Sequence, residues 1–346
     1  MRIIIKPLGK LFVITTITVA LLLSVARLLL PLLGDYRHEI AARLGDALGQ
    51  PLLIGEINAQ WRGVRPSLQL KNVVLLDRQT HNKVLMFDEV AVQFNFLKSI
   101  LNGRPELQTL TLSGVELAIK RHANGALAVA GMESGGSDLS ASVKESLRQW
   151  LFSQRYVSIH NAVVHWSDDQ KNTPDLTVTA LQLSIANHAD HHQLQGGGQL
   201  PHSLGRDFKF AMEVTGEFLQ AQGWHGAIYL EGTELALAPW SQGLARPQWP
   251  RLAEGVMGIK VWSEWRHGAV VAVDADIDAQ RLLMQAPPGT KLTNELSAVK
   301  INRIAGRTVW ERSEQGWSLR LRQLQSAMNG HVGSPLDADM TLIQSD

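Results

Sequence analysis

With 346 residues, 33 basic and 32 acidic side chains, the chain has room for two or three domains and carries no net field that would draw a polyanion. Its count of zero cysteines excludes disulfide staples and thiolate metal sites. Trp (10) outnumbers Phe (8) and Tyr (3), a bias toward side chains with one apolar and one wet side.

The first ten residues are a basic tail with Arg2, Lys6 and Lys10. Residues 11–33, LFVITTITVALLLSVARLLLPLL, are then almost continuously apolar. About 20 helical residues cross a hydrocarbon core of ~30 Å, so this run predicts a transmembrane helix. A cleaved leader is the alternative, since Ser24 and Ala26 place small residues where a peptidase would cut. The apolar stretch outruns the ~7–15 residue core of a leader and continues through residues 28–33, which favours a retained anchor. The cations before the helix put the N-terminus in the cytoplasm and the rest of the chain across the membrane.

Tyr36, Ile40, Leu44 and Leu48 recur every four residues and predict a short amphipathic helix, ended by Gly49 and Pro51. Beyond Leu52 the apolar period becomes two, as in Ile57–Ala59–Trp61 and Val90–Val92–Phe94, the mark of half-buried antiparallel strands. FLKSILN (residues 96–102) reads as one short helix among them. A pattern repeats three times: LQLKNVVL from Leu68, LTLSGVEL from Leu110 and VSIHNAVV from Val157. Each copy is apolar at positions 1, 3, 6 and 8, with Asn72, Gly114 or Asn161 at position 5. A regular strand would send its second half to the other face. Asn and Gly tolerate a left-handed residue or a bulge, so each copy reads as a strand, a kink, and a strand returned to the same face. Repeated kinks would curve the sheet.

Residues 133–145 are small and polar at their start and read as a linker, and Leu147, Trp150 and Leu151 as the apolar side of a helix beginning near Ser142. Strand patterns then persist through Phe208–Phe210–Met212–Val214, Ile259–Val261 and Leu319–Leu321, with turns expected at residues 196–198, Gly205, Gly223 and residues 287–289. The chain stops within a strand-like pattern, DADMTLIQSD, as the N-terminal part of a longer protein would.

Chemistry-bearing motifs are sparse. His188, Asp190, His191 and His192 could hold a metal, but their spacing fits no zinc signature, and they read as a wet hairpin loop. Asp168 and Asp169 could serve acid–base work but read as a turn. No nucleophile elbow, zincin helix or phosphate loop is present, and no basic stripe with stacking aromatics suits nucleic acid. The expectation is therefore no catalytic residue, no metal and no cofactor. The strand-borne residues Trp61, Trp166, Trp224, Trp262, Trp265, Trp310 and Trp317 read as core or as the lining of a groove.

The basic tail, the apolar helix, GQPLLIGEINAQW, RPSLQLKNVVL and FDEVAVQFNFLKSILNGRPELQTLTLSGVELAIKRHANGALAVAGM together resemble the start of the AsmA-like proteins of Gram-negative bacteria, most closely the YhdP-type branch. The later RYVSIHNAVVHWSD and GWHGAIYLEGTELALAPW resemble the domain that follows in that branch. The resemblance implies an inner-membrane anchor, a periplasmic chain, a long curved sheet with an apolar groove, and carriage of phospholipid toward the outer membrane. The fold expected is mainly β: one transmembrane helix (11–33), an AsmA-like N-terminal domain (34–132), a linker (133–145) and a second β-rich domain (146–346) continuing the groove. The lipid-facing set expected is Leu68, Leu70, Leu75, Leu110, Leu112, Leu117, Val157, Ile159 and Val164, which equally suit an ordinary core. Phospholipid and the inner membrane are the expected partners, with other envelope proteins behind them. The competing readings are a scaffold or assembly factor for outer-membrane proteins, and a glycan-acting enzyme resting on the Trp residues with Asp168 and Asp169.

Overall fold

The computed structural model describes residues 5–29, 34–62, 65–76, 81, 83–103, 106–124, 127–130, 154–169, 175–216, 223–242, 250–286, 298–313 and 315–343. The expected linker at 133–145, the helix near Ser142 and the turn at 287–289 lie outside these residues.

Helix α1 (Ile5–Leu29) is 25 residues long, and its side chains at Ile14, Ile17 and Leu21 are exposed. Part of the run 11–33 expected to span the membrane is helical, with different bounds. The helix takes in Lys6 and Lys10 at its start, and residues 30–33 are not described. Among the described residues no helix is long and apolar enough to cross a membrane. Helix α2 (Arg37–Leu48) follows and ends as the sequence requires: Gly49 adopts φ +70°, and the amides of Gly49 and Gln50 donate to the carbonyls of Asp46 and Gly45.

Everything beyond α2 is built on one sheet of seventeen strands among the described residues. The first are β1 (Leu52–Arg62), β2 (Arg65–Leu76) and β3 (Lys83–Phe94), then α3 (Phe96–Asn102), β4 (Leu107–Ser113), β5 (Glu116–Arg121) and β6 (Leu127–Ala130). The chain continues through β7 (Tyr156–Asp168), β8 (Leu176–His188), β9 (His191–Gln199), β10 (Asp207–Gly216) and β11 (Trp224–Ala236). After α4 (Leu237–Gln242) come β12 (Arg251–Arg266), β13 (Ala269–Gln285), β14 (Ala298–Ser313), β15 (Gly316–Met328), β16 (His331–Val332) and β17 (Leu336–Ile343). Strands β1 to β4 pair as an antiparallel meander, and so do β7 to β15, with β17 on β15. The two meanders join through one parallel step, where β4 and β5, a single strand broken at Gly114, both pair with β7. The strands before residues 133–145 and those after them thus belong to one sheet.

The kinks expected at Asn72, Gly114 and Asn161 are present, with φ of 49°, 67° and 51°. They recur where the sequence gave no sign, at Ala180, Glu234, Arg281 and Gln323. One expectation fails. Gly196, Gly197 and Gly198 form no turn but sit inside β9, hydrogen-bonded between β8 and β10.

Helix α2 lies on the first strands. Ala41, 7% exposed, packs with Ile54, Ile57, Leu70 and Val73, and Ile40 joins them. The amphipathic helix thus covers the starting end of the sheet's apolar face. Helix α4, which the sequence reading did not foresee, packs on β12.

Candidate functional site

Side chains alternate across a strand, and residues paired across strands share a face. Following the pairs from strand to strand shows which residues line up. One file begins at Ala59 and Leu68, passes Val92, Leu110, Val157 and Ile185, and reaches Leu194. It continues through Met212, Ile228, Ser263, Val273, Trp310 and Leu319 to Met340. Ser263 is its polar interruption, and its hydroxyl is occupied: Trp265 Nε1 donates to it at 3.0 Å, and it donates to the Ile228 carbonyl at 3.3 Å.

A second file runs beside the first. It starts at Ile57, Leu70, Val90, Leu112, Ile159 and Leu183, crosses Gly196, and goes on through Phe210, Leu230, Val261, Ala275, Thr308 and Leu321 to Ala338. Together they make an apolar lane perpendicular to the strands, from β1 to β17. The thirteen strand-to-strand steps between these ends, at ~4.8 Å each, give a path of roughly 60 Å.

The kinks widen this lane. Past Asn72, Gly114 and Asn161 the chain returns Val73, Leu75, Val115, Leu117, Ala162 and Val164 to the same face. Leu117 pairs with Val164, and Leu75 packs on Leu85 with Leu117 beside it. All nine residues expected on the inward face are therefore on one face. Leu110, Val157 and Ile185 form a cluster with Leu112 and Leu183 against it; Leu68 packs against the cluster of Leu70 and Val73. Burial varies along the lane, and Ala275, farther along the second file than Leu230, is 8% exposed. Leu110 and Val157 are 2% and 0% exposed, whereas Leu230 and Met340 are 50% and 58% exposed.

A family model described as "YhdP protein" matches residues 1–345. The chain belongs to the YhdP family. No curated protein and no solved structure matches it. The membership accounts for the order of weak features along the whole length, where no short motif is diagnostic.

In this YhdP-family chain the opposite face is built differently. Lys209, Glu231, Lys260, Asp276, Arg307 and Arg322 form a charged file there by the same pairings. Arg303 donates through Nε and Nη2 to both oxygens of Asp278 at 2.9 Å, which holds that carboxyl below its usual range. Tyr229 donates to Glu231 at 3.0 Å, and burial raises its phenol, with Glu231 adding to the shift. Two concavities of about 770 and 840 Å³ lie against this part of the sheet. Tyr156, Ser184, Gln195, Tyr229 and Glu231 of the polar face line them, and so do Leu194, Met212 and Ile228 of the first file and Leu183 and Phe210 of the second. Trp262, tilted against Tyr229 with ring centroids 5.2 Å apart, also faces this side. Trp61, Trp224, Trp265, Trp310 and Trp317 fall on the lane face by register, and Trp224 stacks on Trp265 at 5.5 Å.

The residues with chemical potential are separated. His191 and His192 are successive strand residues and point to opposite faces. His191 bonds Glu213 at 3.1 Å, while His192 bonds Asn187 at 2.7 Å. Among the described residues no three His, Asp or Glu side chains converge for a metal. Asp168 and Asp169 diverge in the same way. Asp168 takes Arg121 on the lane face, and Asp169 meets Lys120 at 3.2 Å on the other.

The sequence reading missed the second half of the lane. Phe210, Met212, Ile228, Leu230 and Val261 showed strand alternation, but alternation alone does not tell which face continues that of Leu110. The register settles it.

Proposed function

We propose that the chain is anchored by α1 in a bacterial inner membrane and conducts phospholipid along the apolar lane in the periplasm, toward the outer membrane. The observation that carries this reading is the continuity of the two files from β1 to β17. An ordinary core closes on itself, whereas this face extends sideways and carries exposed apolar side chains such as Leu230. The near-continuous apolar run of residues 11–33 and the exposed Ile14, Ile17 and Leu21 on α1 support the anchor. The position of α2 supports loading near the membrane, since it follows α1 and covers the first strands.

Magnitudes favour sliding over specific capture. Each acyl CH₂ removed from water contributes ~0.8 kcal/mol with no polar contact needed. One leaflet is about 15 Å deep, half of a ~30 Å hydrocarbon core, so a path of roughly 60 Å has room for several lipids in file. The chain acts here as a conduit, with no bond made or broken and no metal or cofactor.

Photocrosslinkers at Leu112, Ile159, Val261 and Leu321 test the reading in intact cells. Phospholipid captured at all four is the expected result. Capture of proteins alone would support the scaffold reading, and capture of nothing at Leu112 and Ile159 in the folded chain would end the conduit idea.

A further inference from the structure

An ion pair sits where an apolar face has least use for one. Arg121 ends β5, Asp168 ends β7, and the two are register partners on the lane face, two residues beyond Ile119 and Trp166. Among ion pairs of the described residues its acid is the most deeply buried: the Asp168 side chain is 3% exposed, the next acid 20%. Arg121 gives Nε to Oδ1 of Asp168 at 2.9 Å and Nη2 to Oδ2. Its guanidinium lies over the Trp166 ring at 5.9 Å. Both interactions fix the plane of the cation.

The bonding pattern leaves one edge of the guanidinium unused. With the Nε–Nη2 edge turned to Asp168, the Nη1–Nη2 edge is turned away from it. Among the described residues no acceptor meets Nη1, and the Arg121 side chain keeps 27% exposure. A planar fork with two parallel N–H groups fits the oxygens of a phosphate better than a single-point cation does. Lys120 does not compete, because it faces the other side and pairs with Asp169.

We propose that Arg121 is the headgroup contact of the lane: its open edge binds the phosphate of a phospholipid whose acyl chains rest on Ile119, Trp166, Leu117 and Val164. Asp168 and Trp166 are positioning residues that present the fork. The proposal rests on the lipid reading above and adds to it a polar anchor that sets lipid orientation.

The test uses the full chain held in amphipol and three probes. Dihexanoylphosphatidylglycerol carries chains and phosphate, dihexanoylglycerol carries chains alone, and inorganic phosphate carries neither chain. Arg121→Gln takes the guanidinium away from the buried Asp168 carboxylate, which threatens folding. The decisive variant is therefore Arg121→Gln with Asp168→Asn, with thermal unfolding followed alongside. The wild-type chain is expected to bind the phospholipid about ten-fold or more tighter than the diacylglycerol, the effect of one charged hydrogen-bonded contact. The double variant is expected to lose that preference while binding diacylglycerol unchanged. A preference that survives in a folded double variant overturns the headgroup contact and leaves the lane standing. Inorganic phosphate bound as tightly as the phospholipid overturns it in favour of a free-phosphate site. Failure of the wild type to bind either lipid removes the lane itself.

Discussion

At Gly114 the backbone turns through φ +67°, and a Cβ added there would overlap the Asp88 carboxylate. Two penalties therefore coincide: left-handed strain and a steric clash. Gly114→Ala is expected to lower stability by about 1–3 kcal/mol, read as a fall in the urea midpoint. Asn161→Gly, at φ 51°, relieves strain instead and is expected to shift the midpoint little. Equal losses at both positions would mean that the kinks are incidental. This scale also marks how far local chemistry is legible. Asn72, Gly114 and Asn161 announce themselves, because their residue types favour the left-handed region. Ala180, Glu234, Arg281 and Gln323 adopt the same region with φ of 48°, 51°, 54° and 51°, although nothing in their side chains asks for it. The pairing of neighbouring strands imposes the conformation there, and pairing is not written in any single residue.

Strand β9 shows the same limit for a whole element. Three successive glycines read locally as a turn, since glycine in a strand interior gives up entropy and packing. In the sheet the gap is filled from outside. A Cβ on Gly196 would come within 2.9 Å of the Phe210 ring, and one on Gly198 within 3.3 Å of the Phe208 ring. The two rings stack with centroids 6.4 Å apart and planes 8° from parallel. They lie down over the glycines and keep the lane floor continuous and low. Gly196→Val is expected to lift Phe210 and cost about 1–3 kcal/mol by overpacking, with faster amide exchange in β9 and β10. Adding Phe210→Ala removes the ring but not the Gln182 carbonyl, 2.5 Å from that Cβ, so the two substitutions should combine to somewhat less than the sum of their separate costs. Strict additivity would mean that ring and glycine do not depend on each other. The short helices α2 and α3, by contrast, were readable in full, because a four-residue apolar period and a terminal glycine are local signals. The parallel step between β4 and β7 was not, because it is a relation between distant segments.

For the molecule as a whole, the question is whether the lane is core or conduit, and stability and transport answer it separately. Leu230 lies in the second file between Phe210 and Val261, and it is 50% exposed. A carboxylate there stays wet, so Leu230→Glu is expected to change stability by no more than ~0.5 kcal/mol, as at an ordinary surface position. For a sliding acyl chain the same carboxylate is a barrier, since passing it would take a charge out of water. Lipid captured by a photocrosslinker at Leu112 should then persist, while capture at Val261 and Leu321, farther along the lane, should fall sharply. Lys260→Glu, on the opposite face of the same part of the sheet, is the control and should leave all three positions unchanged. If Leu230→Glu folds normally and capture at Leu321 is undiminished, lipid does not travel along this file, and the exposed apolar face must serve a partner instead. If capture falls only beyond the substitution, the lane works as one continuous surface.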